Sequence, residues 1–177
     1  MKKRNLKILG TIIAFLLCFP MHFVYDKFPN WLTSIFFSVN ESIWEHMKIL
    51  FGSIIISGVI QKIIIILKKE KINNICFSNF VAAISSIPIF LILFLPVYAI
   101  IGENFIVTII IMFITIAIAE FISYIIMNKQ DFKMENKTIL LVIFVYIIFG
   151  ILTYFPIKID LFEDPKTLVY GINKTSN

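Results

Sequence analysis

The sequence predicts an all-α integral membrane protein, a bundle of about five transmembrane helices. Three observations carry that prediction. Hydrophobic residues make up 59% of the 177 residues and charged residues only 15%, with a mean hydropathy of +0.94; a soluble domain of this size needs more polar surface. The apolar residues gather into five runs, at about 8–24, 47–67, 79–100, 105–127 and 138–155, each near the ~20 residues that cross a bilayer. The bases lie in short clusters between those runs, so the formal charge of +5 reads as orientation in a membrane. It does not form a basic face for a duplex, and nucleic acid is not expected as a partner.

The amino end, Met1-Lys2-Lys3-Arg4-Asn5-Leu6-Lys7, precedes the run from Ile8 to Val24. No small-x-small cleavage site follows, and Leu16-Leu17-Cys18 lacks the small residue that a lipoprotein signal places before its cysteine, so an uncleaved first span is expected. Pro20 is a kink point near its far end. Residues 25–37 are too polar and too broken to span. Trp31, Phe36 and Phe37 suggest a segment lying in the outer interface, where amphipathic rings settle.

The stretch that follows, Ser38-Val39-Asn40-Glu41-Ser42-Ile43-Trp44-Glu45-His46-Met47-Lys48, crowds acids, an imidazole, an amide and an indole into an otherwise hydrocarbon chain. Ser38 with Glu41 three residues on fits a capping box, which predicts a helix from about Ser38 or Asn40 to Leu67. Its 21-residue core, 47–67, would be roughly 31 Å long at ~1.5 Å per residue, one bilayer thickness. Lys68-Lys69-Glu70-Lys71 returns the chain to the inner side. The third run carries Pro88 and Pro96, and Ile101-Gly102-Glu103-Asn104 makes a tight outer hairpin into the fourth. A polar inner loop with Lys129, Lys133 and Lys137 leads to the fifth, which Pro156 ends.

Five spans place the amino end and the 156–177 tail on opposite sides. Eleven of the sixteen Lys and Arg residues fall on the side of the amino end, so that end is expected in the cytoplasm and the tail outside. The expected location is a cell membrane, the bacterial cytoplasmic membrane. In the tail, Ile157, Ile159 and Leu161 alternate with polar residues, suggesting a short extended segment folded over the outer face, with turns at Asp164-Pro165 and Tyr170-Gly171. Cys18 and Cys76 lie on opposite sides and are expected to be free thiols.

Few side chains here can carry chemistry. On a helix Glu41 and Glu45 stack at i, i+4, as do Ser42 and His46, and His22 and Asp26 share that spacing at the end of the first run. Both histidines therefore fall at the outer level near carboxylates. His22, His46 and Glu45 would be an adequate ligand set for Zn²⁺ or another divalent cation, with Glu41, Glu45 and His46 as candidate catalytic groups. No HExxH or HxxxH spacing supports this. The structural alternative is that Glu41 caps a helix, Glu45 pairs with Lys48, and His46 and Trp44 anchor the interface. Glu120 is the other singular residue, deep in the fourth run. An acid there must be neutral, paired or facing a cavity, and is by default a functional hypothesis. Lys62, at similar depth in the second run, is its expected partner, with Gln61 and Tyr124 as further candidates.

Val39-Asn40-Glu41-Ser42-Ile43-Trp44-Glu45-His46, with His22-Phe23 and the tail pattern Leu161-Phe162-Glu163-Asp164-Pro165…Tyr170-Gly171, resembles the signature of a family of small bacterial multi-pass membrane proteins of unknown function. The resemblance covers nearly the whole chain and implies no activity, cofactor or partner. A looser likeness is to membrane hydrolases of the alkaline ceramidase type, through Ser42…His46, but the later His-x-x-x-His of that family is missing.

The expected function is thus a multi-pass membrane protein whose outer polar site binds a cation or polar ligand. That site would be built from His22, Asp26, Glu41, Glu45 and His46, closed by Asp160 and Asp164. One alternative is a metal-dependent membrane hydrolase acting at the outer leaflet. Another is a small transporter whose ion or ligand pathway uses Glu120, Lys62 and Asp26. The bilayer is the expected partner, and oligomeric state is not readable from the sequence.

Overall fold

A computed structural model describes residues 2–102 and 104–172 of the chain; Glu103 of the expected 101–104 hairpin and residues 173–177 of the tail lie outside the described residues. The order is α1 (Lys3–Lys27), α2 (Trp31–Phe36), α3 (Ile43–Leu67), α4 (Ile75–Ile101), α5 (Phe105–Met127), α6 (Glu135–Tyr154) and a 3₁₀ turn at Asp160–Phe162. Five of these, all but α2 and the turn, are long and apolar enough to cross a membrane, which fits a membrane protein. Among the described residues there is no strand, only one antiparallel bridge between Glu163 and Tyr170 in the tail.

The helix starts follow from local chemistry. α2 begins with a capping box: the Asn30 side chain accepts from the Leu32 and Thr33 amides, and the Thr33 hydroxyl accepts from the Asn30 amide. α3 does not start at Ser38 or Asn40 as the sequence suggested. The Ser38 hydroxyl donates to the Asn40 carbonyl and the Asn40 side chain accepts from the Ser42 amide, which closes a non-helical turn. The cap is Ser42, whose hydroxyl accepts from the Glu45 amide at 3.4 Å. The Ser-x-x-Glu signal was present twice, and the second copy is the one used. Its Glu45 carboxylate reaches past the cap to the Val39 amide, 3.1 Å away.

α3 is the central helix: 56% of its most apolar stretch is buried, against 22–39% in the other four. It packs against α1 and α4, and α5 closes the group against α1 and α4. Small residues at these faces, including Ala14, Ala82, Ala83 and Ala119, let the helices approach closely, as membrane helices require. At Gly58 a Cβ would stand 2.7 Å from the Asn79 Cβ, so the α3–α4 crossing admits no side chain there. α6 is more peripheral and is held by Phe149, which packs on Trp44 and Phe51. Outward-facing Ile92, Phe105, Ile106, Leu140 and Phe144 are all more than half exposed, as expected where the solvent is lipid.

The tail does fold back over the end of the bundle that holds the start of α3, but not as an extended segment. Ile157 and Ile159 stay half exposed, and Phe162, in the 3₁₀ turn, is the buried residue, packed on Trp44 at 4.8 Å between ring centroids. Beyond it Asp164 and Val169 bond through their backbones. Gly171 adopts φ +66 beneath Thr153, where a Cβ would lie 2.5 Å from the Thr153 carbonyl. The turn signals at Asp164-Pro165 and Tyr170-Gly171 were correctly read; the alternation at 157–161 was not, because a single aromatic ring secures this segment.

Candidate functional site

At the tail end of the bundle, four elements bring polar side chains to one place. The last turns of α1 supply His22, the turn before α3 supplies Glu41, the first turn of α3 supplies His46, and the tail supplies Lys166. His22 Nε2 lies 3.3 Å from Glu41 Oε1 and 3.2 Å from Oε2. Lys166 Nζ donates to Glu41 Oε1 at 3.0 Å. The two imidazole rings are 5.7 Å apart, centre to centre. The hydrogen bond from His22 holds the Glu41 carboxyl down, at about 2 against an ordinary 4.5; burial opposes this, and the charge of His22 and the bond from Lys166 add to it. Glu41 is therefore an anion throughout the physiological range.

That anion fixes the hydrogen positions around it. A carboxylate only accepts, so His22 Nε2 carries its proton toward Glu41. The Nδ1 of His22 is buried with no partner. His46 Nδ1 lies 2.9 Å from the Ser42 carbonyl, which also only accepts; Nδ1 is thus the donor, and Nε2 of the neutral ring keeps a free lone pair. Ser42 meets His46 through its carbonyl and not through its hydroxyl, so the pair is not a nucleophile and base, and the ceramidase-like analogy finds no support in the geometry.

Beneath these groups lies a cavity of about 310 Å³ bounded by α1, α3, α4, α5 and the tail. Its polar lining includes His22, Glu41, His46, Asp160, Glu163 and Lys166. The rest is mainly apolar, with Phe15, Phe19, Phe94, Ile109 and Met112, interrupted by Cys18, Tyr98 and Thr108. A concave, mainly apolar space with polar groups at one end can hold an apolar body and orient a polar head.

Three expected members of the site are elsewhere. Glu45 does not stack on Glu41, because Glu41 precedes the helix. It is 1% exposed, turned to the opposite side, and paired with Lys48 at 2.6 Å. Thr153 donates to Glu45 at 3.0 Å, and Lys48 donates to the Ser34 carbonyl and to Thr153. This closed network ties α2, α3 and α6 and leaves Glu45 no capacity for a ligand. Asp26 is exposed at the end of α1, and Asp164 is buried in the tail, where its side chain accepts from the Lys166 amide. Among the described residues no group of three or more His, Cys, Asp or Glu is placed to hold a metal ion. The ligand set His22, His46 and Glu45 is thereby corrected: its third member faces away.

The Glu120–Lys62 pair is also corrected. Glu120 pairs with Lys7 at 3.0 Å, with side chains 1% and 5% exposed, and accepts from Gln61 Nε2 at 3.0 Å. Successive residues on a helix point ~100° apart, so the face of α3 that offers Gln61 to α5 carries Lys62 away. Lys62 bonds Glu135 at 3.1 Å and Cys76 at 2.9 Å instead, where α4 and α6 begin. Both cysteines are free.

Sequence reasoning missed Lys166 and Lys7. Lys166 is 125 residues from its carboxylate and sits in an ordinary turn, so no local pattern marks it. Lys7 was counted with the amino-terminal cluster, although it is the one base there followed directly by the apolar run. No curated protein and no solved structure matches the chain. Its sequence from residue 1 to 172 does match a family profile, and the span of that match, covering all five long helices and the tail pattern, shows that the chain belongs to the family of unknown function DUF6512.

Proposed function

We propose that this chain is an integral membrane protein, amino end in the cytoplasm and tail outside, that binds an amphipathic molecule in the tail-capped cavity. The carrying observation is the make-up of the cavity wall: polar side chains from α1, the turn before α3, α3 and the tail, here its rim, and an apolar remainder, here its floor. The rim selects the head. Glu41 is already occupied by His22 and Lys166, whereas His46 Nε2 is an acceptor with no fixed donor, so a head bearing hydroxyl groups is favoured over a bare anion. The floor suits a single hydrocarbon chain entering from the outer leaflet. Lys166 and Glu163 then lie over the head as parts of a tail that must shift for exchange.

The test uses the full chain in lipid nanodiscs, titrated with a monoacylglycerol and read by native mass spectrometry. Ile109→Trp fills the floor without touching the rim, and it is expected to weaken binding at least tenfold, ~1.4 kcal/mol or more. A fatty acid of the same chain length should bind more weakly than the monoacylglycerol. Equal binding by wild type and Ile109→Trp would sink the proposal.

A further inference from the structure

The second polar centre is buried between α1, α3, α4 and α5, nearer the amino end of the bundle. Lys7 contributes an ammonium that donates to Asn79 Oδ1 and forms an ion pair with Glu120 Oε2 at 3.0 Å, an oxygen that has no hydrogen-bond partner among the described residues. Ser123 donates to the same Asn79 oxygen at 3.3 Å, and Gln61 Nε2 donates to Glu120 at 3.0 Å. All of these residues are at most 4% exposed. The helices are cut to admit the cluster: a Cβ on Gly10 would meet Gln61 Nε2 at 2.1 Å and Glu120 Oε1 at 2.9 Å. If neutral packing were the whole purpose, an apolar set of similar volume would serve as well.

Two features separate this cluster from the Glu45–Lys48 network, in which Glu45 Oε2 is held by the Val39 amide and the Lys48 ammonium, groups that only donate. First, the partner of Glu120 is an amide. Gln61 presents Nε2 to the carboxylate, while its Oε1 is buried with no partner. Turning the amide over would present an acceptor to a protonated Glu120, so either form of the acid can be bonded. Lys7 would keep Asn79 Oδ1 as acceptor when the charge on Glu120 is gone. Second, polar side chains continue from the cluster along α3. Ser53, Ser57 and Gln61 recur every four residues on one face and are fully buried. Gln61 donates to Ser57 at 3.3 Å and Ser57 donates to the Gly10 carbonyl at 2.8 Å; one turn further, and not bonded to Ser57, Ser53 meets Cys18 of the cavity wall at 3.4 Å. On the other side Lys7 is one turn from Lys3, whose ammonium reaches the Met127 carbonyl at the end of α5.

We propose that the Lys7–Glu120 pair is a proton-exchange site. Glu120 takes up one proton from water at the amino end and forms an O–H bond, Gln61 reverses its amide to accept that hydrogen, and Lys7 stays charged on Asn79. The site changes from neutral to a single positive charge held on the Asn79 amide oxygen, a state costlier than the resting ion pair and so reached only as pH falls, and release reverses each step. An acid within a span that is paired and able to change state with its partners still bonded is the arrangement a proton-exchange site needs. The charged groups that bear on it are few. From α1 only Lys7 faces it. From α3 Gln61 and Ser57 do, with Lys62 turned to Glu135. From α4 Asn79 faces it, and α4 carries no charged residue. On α5 its neighbour is Ser123. The inference does not depend on the ligand cavity.

The test is infrared difference spectroscopy of the full chain in nanodiscs during a pH titration in H₂O and D₂O. The expected result is a carbonyl band of a buried protonated carboxyl that grows as pH falls and shifts in D₂O. It should be lost in Glu120→Gln and kept in Glu45→Gln. Should Glu120→Gln fail to fold, Glu120→Asp retains the acid, and the band must move to the position of an aspartic acid. A band absent from wild type at every pH, or one unchanged by both Glu120 substitutions, overturns the proposal.

Discussion

At the scale of single residues, the chain shows how burial assigns roles to carboxylates of one chemical type. Glu45 and Glu120 lie among hydrocarbon and each holds a lysine, because a buried charge without a counter-ion costs several kcal/mol. Glu41 is 28% exposed and holds two partners from distant parts of the chain, His22 and Lys166. It is thus the pin between the tail and the bundle. Its pKa is depressed in the fold, from 4.5 to about 2, chiefly by the bond from His22. For a depressed acid the stabilisation is complete above the unfolded pKa and lost as pH falls through the folded one, so Glu41's contribution to the tail contact should be lost between about pH 4.5 and 2. The ionisable groups around it are His22, His46 and Lys166, with Asp160 and Glu163 on the same cavity wall. Hydrogen exchange of residues 160–171 should therefore accelerate in that acid window in wild type. In Glu41→Gln it should already be fast at neutral pH and show no such step; an identical acid step in the variant would remove Glu41 from this role.

At the scale of elements, the five long helices were legible because a bilayer-length apolar run has one outcome once its backbone must bond to itself. Their ends were less so. α1 runs on to Lys27, three residues past the expected end at Val24, and the Ser38–Glu41 box was overruled by Ser42–Glu45. Both boxes satisfy the same spacing rule, and what decides between them is tertiary: Glu45 gains Lys48 and Thr153 by being helical. Pairings across helices were not legible at all. Lys62 and Lys7 are equally plausible partners for Glu120 by depth, and the choice rests on helix rotation, which a stretch as uniformly apolar as α3 does not encode in its pattern. What the sequence does mark is close approach. Gly58 sits where α3 meets Asn79 of α4, and the atom a Cβ would strike is the Asn79 Cβ, fixed to its backbone. Gly58→Ala must therefore part the two helices, at a cost of about 1–3 kcal/mol. Unfolding in a series of denaturing and mild detergent mixtures should show that loss; a variant as stable as wild type would mean that the crossing is looser than described.

At the scale of the whole molecule, the two polar centres to which roles are proposed lie apart along the bundle, and the charge of the loops bears on which of them faces which side. Lys68, Lys69, Lys71, Lys129, Lys133 and Lys137 lie in or beside the loops at the amino end, while at the tail end Glu41 is paired with Lys166 and His22. Bases near short loops resist passage across an energised membrane and acids contribute little, so this distribution favours the amino end inside. The orientation matters to both proposals. With the tail outside, the cavity opens to the outer leaflet and Glu120 lies nearer the cytoplasm, at roughly 10 Å from the Met127 end of α5 by helical rise. Single cysteines test it in a background with Cys18 and Cys76 replaced by alanine, since both are free thiols. Lys158 and Lys71 are exposed at opposite ends of the bundle. In intact cells a membrane-impermeant maleimide should label Lys158→Cys and spare Lys71→Cys until the membrane is opened. Labelling of Lys71→Cys alone would invert the topology, placing the cavity on the cytoplasmic leaflet and requiring its ligand to be an inner lipid.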